Sequence, residues 1–155
     1  MRIAIVAARF NDFVTDRLVE GAQAALRDAG LADHDVDVVR VPGAFEVPMA
    51  AQRIAETGKV SAVVCIGCLI RGATPHFEYI ASACAHGITA AAASTGVPMA
   101  FGVLTTNSVE EALERAEPGP SNKGREAADA ALEMARLFAD IGDGPSSRGF
   151  GGTSL

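Results

Sequence analysis

The sequence predicts an α/β fold, a three-layer sandwich in which a four-stranded, mainly parallel sheet carries helices on both faces. Two observations predict it. Short β-branched runs alternate with segments of helical period in the order βαβαβαβαα, and right-handed crossovers turn that alternation into a parallel sheet. One run, Ala62–Ile70 (AVVCIGCLI), is apolar almost throughout, which marks a central strand buried on both faces.

The elements follow in order. Arg2–Ala8 (RIAIVAA) is the first strand, with β-branched residues flanked by charge. Asn11–Thr15 supplies several helix-capping side chains. Leu18, Val19, Ala22, Ala25, Leu26 and Ala29 then recur at helical spacing, and Gly30 ends the helix. Val36–Val41 is the second strand, closed by Pro42-Gly43. A second helix runs from Phe45 to Glu56, with Pro48 tolerated only in its first turn and Gly58 following it. After the third strand, a long helix spans His76 to Ser94, and Met99–Thr105 is the fourth strand. Ser108 caps a short helix through Ala116. Glu117–Ser121 is a Pro/Gly break, and the last helix covers Asn122–Ala139. Residues 1–140 form one domain. Residues 141–155, rich in Gly and Ser and poor in apolar side chains, read as a disordered tail.

Composition narrows the function. The chain has 155 residues, 49% of them hydrophobic, enough for one core. A formal charge of −6 argues against a generic nucleic-acid or anionic-membrane partner, so any anion must be held by a local cluster. The apolar runs break well short of the roughly 20 residues that span a bilayer, and no signal-peptide layout precedes the first strand. The expected location is the cytoplasm. Cys65 and Cys68 have C-x-x-C spacing, but on a strand they point to opposite faces, so they read as small buried hydrophobes, as does Cys84. No His or Cys spacing suggests a metal site.

The chemistry concentrates where strands end. In a parallel sheet the segments after the strands gather on one edge, where ligands bind. The segment Cys65–Phe77 (CIGCLIRGATPHF) runs from a strand into a helix start that carries Arg71, Thr74 and His76. Free N–H groups at that helix start suit an anion. Together these features predict an anion pocket with an acid–base imidazole on its rim. Phe10, directly after the first strand, offers a flat face to a heteroaromatic ring; folding over the core is its other reading. Glu46 either complements the dipole of its helix or accepts hydrogen bonds from a polyol or amine.

Five segments, in order and at their intervals, resemble the lumazine synthase family. They are Ala8–Asn11, Val41–Pro48 (VPGAFEVP), Gly67–Tyr79 (GCLIRGATPHFEY), Phe101–Thr106 (FGVLTT), and Asn122–Ala127 (NKGREA). The resemblance implies a flavodoxin-like fold and the penultimate step of riboflavin biosynthesis. In that step 5-amino-6-(D-ribitylamino)uracil condenses with 3,4-dihydroxy-2-butanone 4-phosphate to 6,7-dimethyl-8-ribityllumazine, without metal or organic cofactor. It implies that Phe10 stacks on the pyrimidine, that Ala44, Phe45 and Glu46 hold the ring and ribityl chain, and that Leu69 and Ile70 form the pocket floor. Gly72, Ala73 and Thr74 would hold the phosphate, with His76 as the acid–base residue. Phe101 and Lys123 would reach the site from a neighbouring subunit, and Arg115 would bind the phosphate. The implied partners are the two small-molecule substrates, further copies of the chain in a pentamer or a multiple of pentamers, and riboflavin synthase. A non-catalytic lumazine- or flavin-binding relative is the alternative. The chain departs from the family pattern at Glu117–Ser121, where many relatives carry Gly-Thr-Lys-x-Gly. Met1 also falls almost at the first strand, where many relatives have a segment that adds to a neighbour's sheet. An uncovered sheet edge and a ring rather than a shell are therefore expected.

Overall fold

Four strands, β1 (Ile3–Ala8), β2 (Val36–Val41), β3 (Ala62–Ile70) and β4 (Met99–Thr106), form one sheet in the order β2-β1-β3-β4. All three neighbouring pairs are parallel. Ile5, for example, lies opposite Val38 on one side and Val64 on the other. The computed structural model describes residues 1–142. Of the predicted tail, Ile141 and Gly142 belong to the last helix, and the remainder lies outside the described residues.

Alternation along the strands feeds two cores, as period-two geometry requires. Ile3, Ile5, Ala7, Val64, Ile66 and Cys68 face α1 (Asp12–Asp28) and α5 (Lys123–Gly142). Val6, Ala8, Val63 and Cys65 face α2 (Val47–Glu56) and α3 (His76–Thr95). The result is a three-layer, flavodoxin-like sandwich. Cys65 and Cys68 enter opposite cores, as their spacing on a strand predicts. Burial pushes the Cys65 thiol up to about 12, and the Cys68 and Cys84 thiols to about 11, so all three are protonated at neutral pH and poor nucleophiles.

The helix ends differ from the sequence pattern in small, explicable ways. The stretch Ala44–Glu46 is a 3-10 turn rather than the start of α2. The α-helix proper opens at Val47, which leaves Pro48 in the first turn, where its missing N–H does no harm. A further 3-10 turn, Asp33–Asp35, precedes β2. The long helix α3 closes at Gly96, in the left-handed conformation with φ 71°. The short helix α4 (Val109–Arg115) is capped as expected, with the Glu111 N–H donating to Ser108 Oγ at 3.2 Å. The last helix runs to Gly142, three residues past the predicted Ala139.

α5 lies against α1 at very short range. Gly124 faces the backbone of Leu18, and Gly21 faces the side chain of Asn122. Asn122, 1% exposed, fastens the turn between α4 and α5. Its Nδ2 donates to the carbonyls of Ala116 and Glu117 at 3.0 and 3.1 Å, and its Oδ1 accepts from the Arg125 N–H at 3.0 Å. The Glu117–Ser121 departure is therefore held by one asparagine rather than by its own side chains. α3 is packed differently: of its 20 residues only Cys84, Ile88 and Ala91 are buried.

Gly124→Ala tests the close crossing. Alanine improves helix propensity by about 1 kcal/mol, but here the added methyl collides with the Leu18 carbonyl oxygen. Thermal or urea denaturation should show a net loss of about 1–3 kcal/mol. A variant as stable as the parent would show that the two helices are not in contact there.

Candidate functional site

The site is built where β1 stops short. β1 pairs with β3 only as far as Ala7 opposite Ile66, whereas β3 continues beside β4 to Ile70 opposite Thr106. The last residues of β3 therefore lack a strand on the β1 side. Past the sheet, the Arg9 and Phe10 N–H groups donate to the Val41 and Pro42 carbonyls at 2.7 and 3.0 Å. That pairing sets Phe10 beside the loop that follows β2. Asn11 then turns the chain into α1 with φ 64°. Asparagine is one of the few non-glycine residues that adopt this left-handed conformation readily. Its side chain does not cap α1. Instead Nδ2 donates to the Cys68 carbonyl at 2.8 Å, taking the position a neighbouring strand would have occupied.

Around this gap lies a cleft of about 590 Å³. One wall is Phe10 and Asn11 from the β1 exit. A second is Gly43, Ala44, Phe45 and Glu46 from the β2 exit. Leu69 and Ile70 at the end of β3 are also on its wall, and Gly72, Thr74 and His76 belong to the loop and start of α3. Phe10 and Phe45 are 69% and 59% exposed, so both rings are available to a ligand rather than folded over the core. Glu46 is half-buried, and its Oε1 reaches back over Gly43, where a β-carbon would come within 3.3 Å of it. α3 starts on Pro75 with no side-chain cap bond, which leaves first-turn N–H groups and the positive end of the helix facing outward.

The predicted residues do not all meet. Ala73 sits on the exposed loop between Gly72 and Thr74 but is not on the cleft wall. Phe101, Arg115 and Lys123 line a second cleft, of about 340 Å³, along β4, α4 and α5. The two clefts share no lining residue. In the second, Arg115 Nη1 donates to the Glu111 carbonyl at 3.0 Å, and Lys123 Nζ lies 2.9 Å from Glu126 Oε2.

Arg71 requires a correction. The sequence suggests a guanidinium in the anion pocket, but Arg71 is not on the cleft wall. Its Nε donates to Asn107 Oδ1 at 3.0 Å and its Nη1 to Glu78 Oε1 at 2.9 Å. Those acceptors hold it between the exit of β4 and the first turn of α3. Asn11, Gly43 and Phe77 lie in the strand-exit segments the sequence singles out but were given no role there, and Ile80 escapes the sequence reading. For Ile80 the signal was present, since it falls four residues after His76 and three after Phe77 on α3.

Among the described residues, no group of three or more His, Cys, Asp or Glu could hold a metal ion, and no helix is long and apolar enough to cross a membrane. A family model described as 6,7-dimethyl-8-ribityllumazine synthase matches residues 1–139. Among solved structures, a de novo designed Rossmann fold protein is similar over 76% of this chain and 100% of that chain, at 24% identity and a TM-score of 0.39. That likeness is too loose to bear on the site.

Asn11→Ala should destabilise the protein by about 2 kcal/mol, roughly half from the left-handed backbone and half from the lost bond to Cys68. Asn11→Gly should recover the backbone half only. Equal denaturation midpoints for the two variants would mean the left-handed turn carries no cost.

Proposed function

Because the chain belongs to the 6,7-dimethyl-8-ribityllumazine synthase family over residues 1–139, we propose that it condenses 5-amino-6-(D-ribitylamino)uracil with 3,4-dihydroxy-2-butanone 4-phosphate to 6,7-dimethyl-8-ribityllumazine, releasing phosphate and water. The observation that carries the reading is the first cleft. It combines two exposed aromatic faces, a carboxylate and an uncapped helix start beside a histidine.

The chemistry asks little covalent work of the protein. The amine of the pyrimidine attacks the ketone and forms a Schiff base with loss of one water. Phosphate then leaves, the ribitylamino nitrogen closes the ring onto the carbonyl that this elimination unmasks, and a second water is lost. Each step moves protons between substrate atoms, so no protein nucleophile is required. The buried, protonated thiols are not called on for one. Phe10 stacks on the pyrimidine, and Ala44, Phe45 and Glu46 hold its edge and the ribityl chain. Leu69 and Ile70 form the apolar wall. Gly72, Ala73 and Thr74, with the α3 N–H groups, hold the phosphate of the butanone. His76 carries protons to and from the reacting atoms. Holding the two substrates together can supply roughly 7–11 kcal/mol, and the imidazole adds a further factor of about 10²–10⁴. The reaction needs no metal or organic cofactor.

The second cleft is read as the other half of a neighbour's site. Its Phe101, Arg115 and Lys123 share no wall with His76 within the chain, which fits a homo-oligomeric ring. A pentamer or a multiple of pentamers satisfies that arrangement, with Arg115 on the phosphate. Residues 1–140 are the catalytic domain. The protein acts in the cytoplasm, and riboflavin synthase, which consumes the product, is its proposed protein partner.

Incubation with both substrates should generate lumazine fluorescence. Binding of lumazine without its formation would favour a non-catalytic relative. His76→Ala should lower kcat by about 10²–10⁴-fold without abolishing turnover, because proximity is untouched. Arg115→Ala should chiefly raise KM for the phosphorylated substrate, and unchanged kinetics would remove Arg115 from the phosphate site.

A further inference from the structure

The loop Gly72–Pro75 is exposed along its whole length, and the helix it leads into has no side-chain cap. Both features should leave this segment loose, yet it carries Thr74 and His76. Arg71 supplies the missing restraint. Its backbone N–H donates to the Thr106 carbonyl at 2.8 Å, continuing the β3–β4 ladder past the sheet. Its guanidinium then links the exit of β4 to the first turn of α3. Nε donates to Asn107 Oδ1 at the exit of β4, Nη1 donates to Glu78 Oε1 in the first turn of α3, and the carbon between them lies 4.7 Å from the centre of the Phe77 ring. Phe77 itself lines the first cleft. Asn107 is held in turn, its N–H donating to Glu111 Oε2 at 3.1 Å.

We propose that Arg71 is a positioning residue, which holds the anion-binding loop and His76 against the sheet edge without touching the substrate. The inference rests on the functional reading above for what the loop binds, but not for the contacts themselves. A lone exposed ion pair, here with side chains 47% and 64% exposed, contributes little. A planar fork that meets two acceptors and one ring at fixed angles does more, because it defines where three segments sit relative to one another. Lysine, a single point charge, cannot do the same. The two bonds and the ring contact fix the guanidinium toward Asn107 and α3, and it is not on the cleft wall.

The test is a mutant cycle on Arg71→Ala, Arg71→Lys, Glu78→Gln, Asn107→Ala and the Arg71→Ala/Glu78→Gln double variant. Affinity for inorganic phosphate is read by titration calorimetry, and amide hydrogen exchange is read over residues 72–79. Arg71→Ala, Glu78→Gln and Asn107→Ala should each weaken phosphate binding by about three- to ten-fold and speed exchange, with the double variant no worse than Arg71→Ala. Arg71→Lys should resemble Arg71→Ala. In turnover, KM for the phosphorylated ketone should rise while KM for the pyrimidine stays. Should Arg71→Ala fail to fold, Glu78→Gln and Asn107→Ala carry the comparison alone. Parental phosphate affinity and exchange in those two variants, or full rescue by lysine, overturns the proposal. If the parent forms no lumazine but the exchange pattern appears, the functional reading fails and the positioning role stands. If the parent forms lumazine and exchange is unchanged, the reverse holds.

Discussion

Everything at the functional edge follows from β1 lying between β2 and β3, with all three running the same way, and ending before β3 does. Parallel strands must leave the sheet at one edge, which collects the three exits. The shortfall of β1 then opens a gap beside the last residues of β3. A gap in a sheet leaves backbone groups that need partners. Asn11 answers one of them through the Cys68 carbonyl, and the remaining space is the cleft. The site is a place where ladder pairing has stopped and a side chain has taken it over.

Most of the architecture was legible because period and punctuation agreed. β3 announced itself by an unbroken apolar run, and the first two helices by repeats ending at Gly30 and Gly58, both of which have positive φ. Gly43, Ala44 and Glu46 were legible as the exit of a strand closed by Pro-Gly. The order of strands was not legible from local pattern, since it depends on which crossovers pack where. Arg71 was misread for a related reason. Its charge and position after β3 suggest an anion ligand, but the carboxylate that claims it, Glu78, comes from the next helix, and the amide, Asn107, lies 36 residues away. Local pattern alone did not show that Phe101, Arg115 and Lys123 stand apart from His76, a separation that belongs to the sheet, with β4 at its edge; for Phe101 and Lys123 the family resemblance implied it.

In a chain with a formal charge of −6, an anion at this edge would be held by arrangement rather than by bulk charge. At this edge the arrangement uses backbone: an uncapped helix start and a loop without bulky side chains at Gly72 and Ala73. The guanidinium nearest to it is spent on geometry. Arg115 and Lys123 line the other cleft, where Arg115 donates to the Glu111 carbonyl and Lys123 pairs with Glu126. Arg71, Arg115 and Lys123 thus each have a local partner.

The contact between Gly124 and the Leu18 backbone has a consequence for how the chain can drift over evolutionary time. Lys123 is the residue before that glycine, so its direction is inherited from the crossing rather than from anything around its own ammonium group. A slip of α5 by a single residue would swing the lysine through about 100° and out of its cleft. As long as the glycine keeps that crossing, the outward face of α5 can change its residues freely while the lysine keeps its aim.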